Sequence, residues 1–400
     1  MPKLLVALIA AIAVHAPILT VAQPAEYIDP AGGYTQVVTV TDRGVKTIFV
    51  SGQVGEGASY RAHVESAFAK VVHRLRQAGA TVRDVVKMRA FVTGLTPERY
   101  APVADVRRAT FPEGSWPAST VAGVASLARA GMQVEIEVVA VVAVEGAELA
   151  VERYAPSNGF SGAVAVTAHG VTTIYVAGQV GTGNTLEAQT TEVWNRIGQR
   201  LADAGATYGD LVKTTTYVVD YDQETDLPAY RDGTPLAVAN LDDRSASTLL
   251  GIPALASPNF RVEIDGIAVI GTSNQSVTRE FINPAGAFTQ VVTAQGSGAK
   301  TVYISGQVGT RGDPLADQTD QVYANLRRQL EGAGAAPDDL LNVTIYIPGY
   351  DEEAIGVLAP ARARHGFNDD AGPASTLLGI QSLYASDAAI EIEGIAVVEP

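Results

Sequence analysis

Pro117-Ala118-Ser119-Thr120, running on to Val134-Glu135-Ile136-Glu137, returns as Ser245-Ala246-Ser247-Thr248 with Val262-Glu263-Ile264-Asp265. It returns again as Pro373-Ala374-Ser375-Thr376 with Ile390-Glu391-Ile392-Glu393, the glutamates 128 residues apart each time. A second marker leads each copy: Ser51-Gly52-Gln53-Val54-Gly55, Ala177-Gly178-Gln179-Val180-Gly181 and Ser305-Gly306-Gln307-Val308-Gly309. One module has been copied twice. Two markers kept in register over so long a unit imply tandem domains, because solenoid units run roughly 20 to 50 residues.

Each copy takes roughly a third of the 400 residues, enough for a domain to bury its own core. With 47% hydrophobic and 18% charged residues the class is soluble and globular. The formal charge is −15, and −16 without a leader whose one charge is Lys3; such a field repels a phosphate backbone, so no nucleic-acid partner is expected. The absence of cysteine excludes disulfides, thiolate catalysis and Cys-ligated zinc.

Residues 1–22 have the layout of a secretory signal peptide: Lys3, an apolar run from Leu4 to Val14, then Thr20-Val21-Ala22 before Gln23. The alternative is an uncleaved membrane anchor, although His15 and Pro17 interrupt the run. Cleavage would give a secreted or periplasmic protein with no membrane contact once the leader is gone. The domains are then read as 23–146, 147–272 and 273–400, joined by short polar linkers at Glu145 to Val151 and Gly271 to Val277.

Within repeat one, Thr35 to Val40 and Lys46 to Val50 read as a hairpin about the turn Thr41-Asp42-Arg43-Gly44. Val64, Phe68, Val71, Val72 and Leu75 recur at helical spacing, and Gly79 lies where a left-handed cap belongs. The matching faces are Val193, Ile197 and Leu201 before Gly205, and Val322, Leu326 and Leu330 before Gly334. Another β-rich run follows each helix: Val86 to Val92, Leu211 to Val219 and Leu341 to Ile347. A second helix is expected near Pro97 to Ala109, Thr225 to Ala239 and Glu352 to Arg364, weakest in repeat two, where Gly233 and Pro235 intrude. Ser119 to Leu127 and Gln133 to Val142 read as a closing hairpin. The module is ββαβαββ, an α+β sandwich with helices on one face.

Chemical motifs are few. The histidines His15, His63, His73, His169 and His365 have no metal-ligand spacing, and neither a nucleophile elbow nor a phosphate loop is present, so no metal or cofactor is expected. The glutamates remain. Alternation places Glu135 and Glu137 on one sheet face and Ile136 on the other, under the helices. Such a face is either solvent-exposed or, given the small and apolar neighbours of Glu135, Glu263 and Glu391, desolvated enough for general-base chemistry.

The succession Gly33-Tyr34-Thr35-Gln36, Ser51-Gly52-Gln53, Ala78-Gly79-Ala80, Asp84-Val85-Val86-Lys87 and Val134-Glu135-Ile136-Glu137 resembles the RidA/YjgF family of enamine/imine deaminases, also known as endoribonuclease L-PSP. The resemblance covers residues 25 to 400, three times over. It implies a chorismate-mutase-like fold, a trimer-like ring with a ligand pocket at each interface, and a glutamate that positions the hydrolytic water. By motif position that glutamate is Glu135, Glu263 or Glu391. The resemblance places Tyr34, Phe160 and Phe288, the pairs Ser51-Gly52, Ala177-Gly178 and Ser305-Gly306, and Ser119, Thr120, Ser247, Thr248, Ser375 and Thr376 around the substrate.

Where the deaminating branch has an arginine after Pro-Ala to grip the substrate carboxylate, this chain has Ser119, Ser247 and Ser375. A hydroxyl supplies neither the charge nor the fork of a guanidinium. Turnover of 2-imino acids is therefore expected to be weak, with Arg244 the nearest substitute. Repeat two has also lost the phenol hydroxyl, the serine and a glutamine (Phe160, Ala177, Gly162), which favours the pockets of Glu135 and Glu391. The expected protein is a monomer with pseudo-threefold symmetry that hydrolyses a small imine, enamine or carbonyl compound. A non-catalytic small-molecule binder is the alternative, and a ribonuclease is disfavoured by charge.

Overall fold

The computed structural model describes residues 23–144, 146–367 and 370–399; the leader read at residues 1–22 lies outside them. In repeat one the long helix spans Tyr60–Gln77, with the Ser59 side chain accepting from the Ala62 N–H at its start. It stops at Gly79, whose φ of 77° only glycine adopts freely, and the Ala80 N–H closes back on the Leu75 carbonyl at 2.8 Å. Val64, Phe68, Val71 and Leu75 are buried along one stripe, as their spacing predicts. Repeats two and three carry the same helix at Leu186–Asp203 and Leu315–Gly332.

The second helix is Pro97–Thr110 in repeat one. In repeat two it breaks into Asp226–Gly233 and Leu236–Ala239 on either side of Thr234-Pro235. In repeat three a 3-10 turn, Glu352–Ala354, leads into Ile355–Arg364.

Four strands of each repeat set the site. A bulged strand (Val45–Val54, Val171–Val180, Lys300–Val308) pairs antiparallel with a glutamate strand (Val134–Ala143, Val262–Gly271, Glu391–Val398). The glutamate strand pairs antiparallel with a middle strand (Val85–Thr93, Leu211–Val219, Leu340–Pro348), and that one runs parallel to a serine strand (Ala118–Val124, Ala246–Ile252, Ala374–Ile380). The serine and glutamate strands are thus not the hairpin that their proximity in sequence suggests. The glutamate strand inserts between two partners, which suits a run apolar on the helix face and largely buried on the other. Each repeat also has a strand ahead of the hairpin, at Gln23–Pro30, Ala150–Ser157 and Thr278–Pro284.

The sheets of the three repeats join end to end. The serine strand of each meets the next hairpin at Ala118 with Ser161 and at Ala246 with Thr289, and Ala374 with Thr35 closes the ring. The result is a closed barrel with the helices outside. Each repeat has its own core between helices and sheet. Inside the barrel two further apolar clusters draw residues from all three repeats.

Candidate active site at the seams between repeats

Residues Ser51-Gly52, Ala177-Gly178 and Ser305-Gly306 sit where the ladder between bulged and glutamate strands slips register. A bulge frees backbone groups and makes room, and the room is taken by the glutamate. A side chain added at Gly52, Gly178 or Gly306 would meet Oε1 of Glu135, Glu263 or Glu391 at 1.6, 1.8 and 1.5 Å. The repeated glycine is therefore explained by a carboxyl that fills the place a Cβ would take. The glutamates are only 4–5% exposed, which decides between the exposed and the desolvated face that the sequence left open.

Each glutamate looks across a seam at the serine strand of the preceding repeat. The Val121 N–H of repeat one donates to the carboxyl of Glu263 in repeat two. Oε2 of Glu135 and of Glu391, by contrast, is buried with no hydrogen-bond partner. Burial pushes all three carboxyls up to about 8, helped by the neighbouring Glu137, Asp265 and Glu393 respectively.

The residues that sequence places around the substrate divide in two. Ser51 and Ser305 are braces: each donates to a carbonyl of its own repeat (Thr35, Thr289; 2.6 Å) and accepts from Ser375 N–H or Ser247 N–H across the seam (2.8 Å). Thr120 and Thr248 accept from the N–H of Gly178 and Gly306 at 3.1 Å and donate to Asp265 and Glu393; Thr376 donates to Glu137. Tyr34 and Phe288 are half-buried at the start of the hairpin strand, next to the seam bonds of Thr35 to Pro373 and Thr289 to Ser245.

Phe160 marks a feature the sequence reading missed. The Arg107 guanidinium, from the second helix of repeat one, lies 5.0 Å from its ring centroid. It donates to Ser119 Oγ at 3.0 Å, to the Asn158 carbonyl at 3.2 Å and to the Tyr100 hydroxyl at 3.5 Å, and is 1% exposed. Its charge also draws Glu263 down, against burial. Arg244, the substitute suggested by sequence, instead turns back to the carbonyls of Leu241 and Ala239. In repeat three Arg362 lies over Gly33 of repeat one, as Arg108 lies over Gly159.

On the barrel axis the second acid of each strand meets buried cations. Asp265 binds Lys87 and Arg89 at 2.9 Å, Glu393 binds Lys213 at 2.5 Å and Arg89 at 3.3 Å, and Glu137 stands 3.5 Å from Arg89. Burial opposes ionisation of Asp265 and Glu393, but Arg89 and Lys87 hold the first well below the usual carboxylate range, and Lys213 and Arg89 hold the second at about 2. Beyond this cluster a cavity of about 210 Å³ follows the axis between Phe49, Tyr175 and Tyr303, and none of the three seam glutamates lines it. Among the described residues no group of acidic and histidine side chains is placed to hold a metal ion.

A sequence profile of the family described as Endoribonuclease L-PSP matches residues 25–142, 151–270 and 278–398. The chain belongs to this family. A 2-iminobutanoate/2-iminopropanoate deaminase of Dermatophagoides farinae is 29% identical over 124 residues, covering 29% of this chain and 89% of the relative. Among solved structures, a YjgF/YER057c/UK114 family member from Mycobacterium tuberculosis is 28% identical, covering 30% of this chain and 100% of its own, with a TM-score of 0.26. RidA from an Antarctic Psychrobacter is 24% identical over 29% of this chain and 91% of its own, TM-score 0.25. Each L-PSP-type relative thus corresponds to one repeat.

Proposed function

We propose that the chain is a hydrolase of small imines or enamines, with water activated by glutamate at the seams between repeats. One observation carries the reading: three carboxyls recur at equivalent places, buried, each pressed on a glycine and raised to about 8. A carboxyl tuned toward working pH is suited to moving a proton. Water adds across the C=N bond, its oxygen to carbon and one proton to nitrogen by way of the carboxylate; the hydroxyl proton of the resulting carbinolamine then passes by the same carboxylate to nitrogen as the C–N bond breaks, so that ammonia leaves a carbonyl product. The deaminase relative supports the reaction class, and the exported location implied by residues 1–22 belongs to the same proposal. N-terminal sequencing of secreted protein should begin at or near Gln23; Met1 on mature, membrane-bound material would reject export.

The test of catalysis is replacement of Glu135, Glu263 and Glu391 by glutamine, singly and together, with turnover of enzymatically generated imines followed by ammonia release. The triple variant should lose turnover while still binding product. Wild-type kcat should rise with pH through about 8, as the base form accumulates. Turnover that survives in the triple variant would remove the glutamates from the reaction. A wild type that binds but never turns over would favour the non-catalytic reading, which the partnerless Oε2 atoms of Glu135 and Glu391 equally accommodate.

A further inference from the structure

We propose that Arg107 is the carboxylate-binding residue of this chain, and that it makes the seam between repeats one and two the pocket that takes 2-imino or 2-oxo acids. This rests on the hydrolase reading for its chemistry, but the binding claim stands apart from turnover. The guanidinium is 1% exposed, yet no acidic side chain lies within ion-pair distance of it among the described residues. Its partners are neutral: Ser119 Oγ, the Asn158 carbonyl and the Tyr100 hydroxyl. Its Nε–H is buried with no partner at all. A buried cation with no ion-pair partner in contact is costly, and the Phe160 ring at 5.0 Å and the more distant Glu263 compensate only in part. A ligand carboxylate would supply both the missing charge and the acceptor for Nε–H, in the two-pronged geometry that arginine favours.

The place is also right. Nη1 rests on Ser119 of the serine strand, and Phe160 and Glu263 flank the same seam. The seam of repeats three and one is built differently: there it is the Arg362 guanidinium, one helix position away, that lies over Gly33. Phe111 and Phe367 make matching ring contacts with Phe68 and Tyr323 of the long helices, so counting back four residues aligns Arg107 with Ala363. In repeat two the broken helix offers only Arg244, which faces backbone carbonyls.

The experiment uses the full chain and two readouts. Calorimetric titration with pyruvate, which needs no catalysis, should find one site per chain; Arg107→Gln should weaken it at least tenfold and Arg107→Lys should fall between, while Arg327→Gln, on an exposed helix face, leaves it unchanged. In the coupled assay Arg107→Gln should raise KM for 2-iminopropionate by a similar factor, with little effect on benzaldimine generated by an amine oxidase. Glu263→Gln alone should abolish turnover of 2-iminopropionate. Pyruvate binding that ignores Arg107→Gln, or 2-iminopropionate turnover lost in Glu135→Gln or Glu391→Gln but kept in Glu263→Gln, would overturn the proposal. Arg107-dependent pyruvate binding without imine hydrolysis would keep it and reject only the hydrolase reading.

Discussion

Glu135, Glu263 and Glu391 make the fold's response to pH run against the usual direction for a carboxyl. Their folded values of about 8 exceed the ordinary 4.5, so the fold favours the protonated form. That contribution is fully present below pH 4.5 and is lost as pH rises through 8. Glu393, held at about 2, works oppositely: its contribution is present above 4.5 and lost as pH falls toward 2. Replacing all three seam glutamates by glutamine should therefore raise Tm relative to wild type by a margin that grows from pH 5 to pH 9. A margin independent of pH, measured by calorimetry, would mean that these carboxyls are not the desolvated groups described. At this scale the sequence was legible where local pattern sufficed: the alternation around Ile136 put Glu135 on the face away from the helices. Arg107 was not legible, because its guanidinium reaches Ser119 from a helix 12 residues upstream, and only tertiary packing brings it there.

The bulge and the glutamate strand act as one element. Gly178→Ala would place a methyl 1.8 Å from Glu263 Oε1, an overpacking expected to cost about 1 to 3 kcal/mol in denaturant unfolding. Glu263→Ala in the same chain should relieve most of that cost, so the pair should be strongly non-additive. Strict additivity would show that the carboxyl does not rest on the glycine in solution. The long helices were readable from spacing and a glycine stop, since both are local properties of the chain. The pairing of strands was not: nearness in sequence suggested a hairpin of the serine and glutamate strands, whereas burial placed the more apolar run between two partners. The strand at Gln23–Pro30 escaped notice because Pro24 and Pro30 mark it only as an edge.

Across the whole molecule, Arg89 is touched by acids from all three repeats: Glu137, Asp265 and Glu393. Arg89→Leu leaves those acids short of a cation in the barrel interior and should cost about 3 to 5 kcal/mol in urea unfolding. A cost below about 1 kcal/mol would mean that the cluster is hydrated and loosely held. Because Ala374 and Thr35 close the ring within one chain, the particle is expected to be a monomer. Light scattering near three times 41.7 kDa would contradict this. The axial cations come from repeats one and two alone, for in repeat three Asn342 and Thr344 stand where repeat one has Lys87 and Arg89. A ring built from three copies of repeat three would gather three Glu393 side chains with nothing to neutralise them, and one built from repeat one would gather six cations around three Glu137. With the charges divided in this way each part depends on the other two for neutralisation, and none is suited to forming a symmetric ring of its own.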